Sequence, residues 1–146
     1  MANQIHLKGD FRRIEKVASA TITPGMLVAV DSSDEVAAHG TEGYYAERMF
    51  AVEDALQGLP IGTNYTDGDR VSINVVPPGA VVNAFICAGE DVAIGDLLIS
   101  NADGTLIELS SATSGVTIYQ VIGVAIEAND LTASGAVNTR SAVRIL

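Results

Sequence analysis

The chain has 146 residues, of which 48% are hydrophobic, 18% charged and none Trp, and its formal net charge is −10. That length and composition describe one globular domain and exclude an intrinsically disordered chain. The charge is uneven. Residues 1–16 carry Lys8, Arg12, Arg13 and Lys16 against Asp10 and Glu15, whereas the remainder holds four basic and sixteen acidic groups; an acidic body argues against direct contact with nucleic acid.

The N-terminal stretch "MANQIHLKGDFRR" lacks the apolar run of a secretory signal. Residues 1–16 read as an extended basic arm that either reaches another protein surface or frays in solvent, and 17–146 as a β-rich domain. After the arm, short apolar runs alternate with turn residues, the pattern of an all-β protein. The runs are 15–22, 26–30, 35–39, 49–53, 70–76, 80–87, 96–100, 105–109, 119–127 and 142–146. In "RVSINVV" (70–76) the residues Val71, Ile73 and Val75 share one face, with Arg70, Ser72 and Asn74 opposite, as in a strand half-buried against a core.

The segments "TPG", "DGD", "PPG", "AIGD" and "NADG" separate these runs. Asp103-Gly104 predicts a hairpin, because Gly accepts the positive φ such turns need. Residues 40–49 are ambiguous between a helical turn and an exposed loop. Tyr44 and Tyr45 read as a partly buried anchor for that segment, or as a contact surface. The charge-free run 71–89 is long enough to raise a membrane question, but Pro77, Pro78 and Gly79 interrupt it. It reads as two strands and a turn.

A weak repeat runs through the chain. "TPGMLVAVDSSDEVAA" from Thr23 matches "AIGDLLISNADGTLIE" from Ala93; "FAVEDA" from Phe50 matches "VAIEAN" from Val124; and "DRVSI" (69–73) is set against "AVRIL" (142–146), at an offset near seventy. Unless these short apolar matches are coincidence, two similar β-motifs form one sandwich or barrel-like body.

Residues that could carry chemistry are few. Glu53 and Asp54 adjoin, but strand neighbours point to opposite faces, and Glu53 has a repeat counterpart in Glu127 while Asp54 faces Ala128. They read as a strand exit, not as a catalytic pair. Cys87 is the only cysteine, so no internal disulfide forms, as suits a reducing cytoplasm. With no base suggested nearby, Cys87 reads as a core residue. His6 and His39 make neither a metal site nor a triad, and His39 is expected at the surface or a rim. Asp67-Gly68-Asp69 is a turn without the ligand set of a calcium loop. No phosphate-binding glycine loop or paired-cysteine zinc motif occurs. Asn64-Tyr65-Thr66 is a glycosylation triplet with no secretory route. Residues 89–109 resemble the grammar of biotinyl and lipoyl carrier domains, but no Lys follows Lys16, so the residue to be modified is missing. A sugar-binding module is weakly supported, since aromatics make up 5%. No catalytic residue, cofactor, metal, nucleic-acid or membrane partner is expected.

Four elements in order, "AVEDALQG" followed by Tyr65 and "GDRV", then "PGAVVNA", "GDLLISNADGTL" and "IGVAIEA", resemble the capsid cement or decoration proteins of tailed double-stranded-DNA bacteriophages. The resemblance covers about residues 14–146 and matches the arm less clearly. It implies a structural virion protein made in the host bacterial cytoplasm. Such a protein binds the outer surface of the expanded head as a homotrimer, bridging major capsid protein subunits against internal DNA pressure. The alternative is a small β-domain of a head fibre or receptor-binding module. Within that reading, Lys8, Phe11, Arg12 and Arg13 are the expected capsid contacts, and Val143 and Ile145 the expected trimer contacts.

Overall fold

The computed structural model describes residues 3–113 and 119–146. The described chain is almost entirely β. The strands are β1 (His6–Lys8), β2 (Arg12–Ala18), β3 (Val28–Val30), β4 (Glu35–Ala38), β5 (Met49–Ala51), β6 (Arg70–Val75), β7 (Val81–Ile86), β8 (Asp91–Val92), β9 (Leu97–Ser100), β10 (Leu106–Glu108), β11 (Gly123–Ala125), β12 (Asn129–Asp130) and β13 (Thr139–Ile145). Two single-turn 3-10 helices, Ala55–Gln57 and Leu109–Ser111, interrupt them.

The strands close into two small barrels. The first runs β3-β4-β2-β6-β5 and closes through the Leu27↔Phe50 bridge. The second runs β9-β10-β7-β13-β11 and closes through β9 and β11, with β1 added beside β7. Closure removes the unpaired edges an open sheet would expose.

The two barrels repeat each other bond for bond. The antiparallel pair Ile14↔Ile73 becomes Val82↔Val143, and Ala51↔Ile73 becomes Ala125↔Val143. The hairpin pair Val30↔Val36 becomes Ser100↔Leu106. The parallel pair Ala18↔Val36 becomes Ile86↔Leu106, and the Leu27↔Phe50 bridge becomes Leu97↔Val124. The repeat seen in the sequence is therefore architectural, with one slip. Strand β6 maps onto β13 at an offset of 70, since Ile73 takes the place of Val143. The counterpart of "DRVSI" is thus 139–143 and not 142–146. A shift of three is odd, and an odd shift puts every side chain on the wrong face.

Core residues follow the same map. Ala18, Val28, Val36, Ala51 and Ile73 fill the first barrel, and Ile86, Leu98, Leu106, Ala125 and Val143 hold the equivalent places in the second. Leu27 and Phe50 belong to strands of the first barrel but are buried in the second core, so the two barrels share a packed seam. Two main-chain bonds stitch it: Phe85 N donates to Gly25 O at 3.2 Å, and Leu27 N donates to Gly104 O at 2.9 Å. Gly25 has φ +104, and a Cβ there would lie 3.1 Å from the Asn83 oxygen and 3.3 Å from the Phe85 ring. No side chain fits that approach.

The predicted runs mostly coincide with strands. The second strand starts earlier than expected, at Arg12, and pairs along its length with β6. Within the segment 1–16, residues 3–16 are laid onto the body by β1 and β2; Met1 and Ala2 lie outside the described residues. The polar face of β6 divides: Arg70 is exposed, whereas Ser72 and Asn74 are buried, and Asn74 Oδ1 accepts from Arg13 Nε at 3.5 Å. The 103–104 turn forms as expected, with Gly104 at φ +84 and Asn101 N donating to Thr105 O.

Candidate functional site

The N-terminal edge gathers three of the four expected contact residues. Gly9, at φ +90, turns β1 into β2. His6 lies 2.7 Å through Nε2 from the Gly9 oxygen, and its ring is 4.5 Å from that of Phe11. The Arg13 guanidinium lies 5.6 Å from the Phe11 ring centroid, within cation–π range. Phe11 and Arg12, with Val75, Val76 and Pro77, line a shallow, largely apolar depression. Phe11, Arg12, Arg13 and Lys8 are all exposed. Lys8 pairs with Val81 on the second barrel and is not among the residues lining the depression.

Val143 and Ile145 lie elsewhere than a surface contact requires. Both are buried in the core of the second barrel. Alternation on β13 turns them inward and leaves Arg144 outside. A charge at Ile145 would disrupt the barrel's interior and so reports nothing about association.

A second surface lies at 40–48, an irregular loop without a helix. Tyr44 and Tyr45 are 59% and 73% exposed. They do not anchor the loop, and of the two sequence readings the contact surface fits their exposure. The anchors are Gln120 and His39. Gln120 accepts from Ala46 N at 2.8 Å and donates to Ala46 O at 3.0 Å. His39 is buried, not at a rim, with Nδ1 2.6 Å from Ser100 Oγ and Nε2 3.0 Å from Tyr45 O. Tyr44, Tyr45, Tyr119 and Gln120 line an open groove of about 450 Å³.

A third feature is a cleft of about 450 Å³ lined in part by Phe85, Glu127, Asn129, Asn138 and Arg140. Its polar groups are engaged within the chain. Arg140 donates through Nε to Pro24 O at 2.9 Å and through Nη2 to Ile61 O at 2.6 Å, with its guanidinium 4.4 Å from the Phe85 centroid. Burial lowers its pKa from the usual arginine value. Glu127 accepts from Ala142 N, Asn129 donates to Ser141 Oγ and Asn138 accepts from Ala88 N. The cleft is built as a joint between the barrels.

The remaining chemical candidates have structural occupations. Glu53 accepts from Ile5 N at 3.1 Å, while Asp54 caps the 55–57 turn through Gln57 N and Nε2. The two carboxylates thus hold different segments, as a strand exit would. Burial raises the pKa of the half-buried Cys87 thiol, which opposes thiolate formation. Asp69 accepts from Thr66 N and Oγ1, and these bonds lower its pKa as a turn-stabilising carboxylate. Burial raises the Tyr65 pKa, and its hydroxyl donates to Val52 O at 2.7 Å. Among the described residues no group of three or more His, Cys, Asp and Glu could hold a metal ion, and no helix is long and apolar enough to cross a membrane.

No protein-family model and no curated protein matches the chain. Among solved structures, the head fibre gp8.5 N base of bacteriophage phi29 is similar in fold, with a TM-score of 0.59 and 18% sequence identity over 94% of this chain and 95% of that one. This likeness overturns the cement-protein reading: the similar structure is the base of a head fibre, the role the sequence had left as its alternative.

Proposed function

We propose that this chain is a structural module of a phage virion and serves as the base by which a fibre stands on the head. The observation that carries the reading is the end-to-end fold likeness to a head-fibre base, which spans nearly all of both chains. The architecture suits the task. Two closed barrels joined by a packed seam form a stiff block that loses little entropy when it docks. In this reading the partners are a component of the head shell and further copies of the chain. The head-facing edge is Phe11, Arg12 and Arg13 with Lys8: an exposed aromatic beside cations, with Asp10 the acid among them, on an otherwise acidic protein, the composition of an interface anchor.

Particles carrying the protein, labelled with an antibody against it and viewed by electron microscopy, test the reading. Label is expected at the feet of head-attached fibres, and should be lost with the Arg12→Glu, Arg13→Glu double variant. Label on the tail, or an even coat over the whole shell, would overturn it.

A further inference from the structure

The internal repeat shows how one barrel docks on the next, and it leaves one such docking face uncovered. In the first barrel the seam residues Pro24, Leu27, Phe50 and Val52 are all buried, with Leu27 and Phe50 in the second barrel's core and Pro24 O accepting from Arg140 Nε. Their counterparts are Ile94, Leu97, Val124 and Ile126, placed by the shared register. These four are apolar too; Val124 is 8% exposed, but Ile94 is 70% exposed, Leu97 40% and Ile126 36%. The glycines agree. Gly25 and Gly95 have nearly the same φ, +104 and +98, but Gly25 is covered by Asn83, Phe85 and Arg140 while nothing lies within 4 Å of where a Gly95 Cβ would be.

The covering face has its own unused counterpart. Phe85 and Arg140 are cross-strand partners on β7 and β13, and Val17 and Arg70 are cross-strand partners at the equivalent place on β2 and β6. Both Val17 and Arg70 are exposed. We propose that the bare seam of the second barrel is covered by the first barrel of a second copy of this chain, with Val17 and Arg70 taking the places that Phe85 and Arg140 hold inside the chain.

Charge favours that occupant: Arg70 approaches a seam bordered in sequence by Asp96 and Glu127. The contact is heterologous, one face meeting a different face, so copies add head to tail and close into a ring if the rotation allows. It is weaker than the internal seam. Strands β2 and β4 pair at both Val17↔Glu35 and Ala18↔Val36, whereas β7 and β10 pair only at Ile86↔Leu106 and leave a gap that residues 25–27 fill. Copies therefore meet through side chains without those two main-chain bonds, and the assembly dissociates on dilution. The inference rests on the repeat and stands apart from the fibre reading.

Sedimentation of the purified chain over a concentration series tests it, with three surface variants checked for folding by circular dichroism. The wild type is expected to associate reversibly. Leu97→Asp and Val17→Asp should each sediment as monomers, with Ile94→Asp as a second probe of the seam. A mixture of the Leu97→Asp and Val17→Asp proteins should form one-to-one dimers and nothing larger, since one seam and one covering face survive. A wild type that stays monomeric throughout would overturn the proposal. So would a Val17→Asp protein that still associates while Leu97→Asp does not, which would mean seam against seam.

Discussion

His39 and Ser100 are 61 residues apart in sequence and 2.6 Å apart in the fold. The Tyr45 carbonyl can only accept, so Nε2 donates to it, and Nδ1 pairs with the Ser100 hydroxyl. Ser100 also accepts from Ala102 N at 3.3 Å. Replacing Ser100 with Ala leaves a buried ring nitrogen without its partner. The expected cost is about 1–3 kcal/mol, read as a lower urea midpoint at unchanged slope. An unchanged midpoint would show that the pair contributes nothing to stability. None of this was legible locally: a histidine at a strand end carries no mark of a hydroxyl far along the chain in the other barrel. Tyr44 and Tyr45 misled for the same reason, because aromatics adjoining a loop read as its anchor when Gln120, a distant polar residue, holds the loop instead.

Among elements, the same strand pair does different work in the two barrels. Arg140 and Arg70 occupy equivalent positions, but Arg140 ties the second barrel to the Pro24 and Ile61 carbonyls, while Arg70 reaches only Glu15 at 3.5 Å on the surface. Replacing Arg140 with Met keeps the stem and removes the donors, leaving two part-buried carbonyls unpaired. We expect a loss of about 1–3 kcal/mol, against less than about 0.5 kcal/mol for Arg70→Met, both by thermal unfolding at concentrations that keep copies apart. Equal losses would mean that Arg140 does not tie the barrels together. Elements of this kind were well marked where alternation ran long enough. In β6 the period of two is plain from Val71 to Val75, and β13 shows its inward residues, although "inward" there means the barrel's own core. Strands of two or three residues, such as His6–Lys8 and Asn129–Asp130, carry too few side chains to show a period. They exist because a neighbouring strand offers partners, which is a tertiary cause.

For the molecule as a whole, the shared seam makes two barrels one cooperative unit. Phe50 hangs on a strand of the first barrel and is wholly buried in the core of the second. Truncating it to Ala should cost about 3–5 kcal/mol and leave a single unfolding transition at lower temperature, because either barrel that opens exposes the other's core. Two resolved transitions in calorimetry would show that the barrels fold independently. The duplication was readable from the hairpin segments at Thr23 and Ala93, whose turn residues fix a register. It slipped by three at the last strand, where "DRVSI" and "AVRIL" share apolar content but no turn to align them.

The seam also sets an order of events during synthesis. Every strand of the leading barrel has left the ribosome once Val75 emerges, yet the cover for Leu27 and Phe50 is complete only with Ile145. At elongation rates of roughly 5–20 residues per second, that wait is on the order of several seconds. Throughout it, the nascent chain holds an apolar stripe that its own second half has yet to cover.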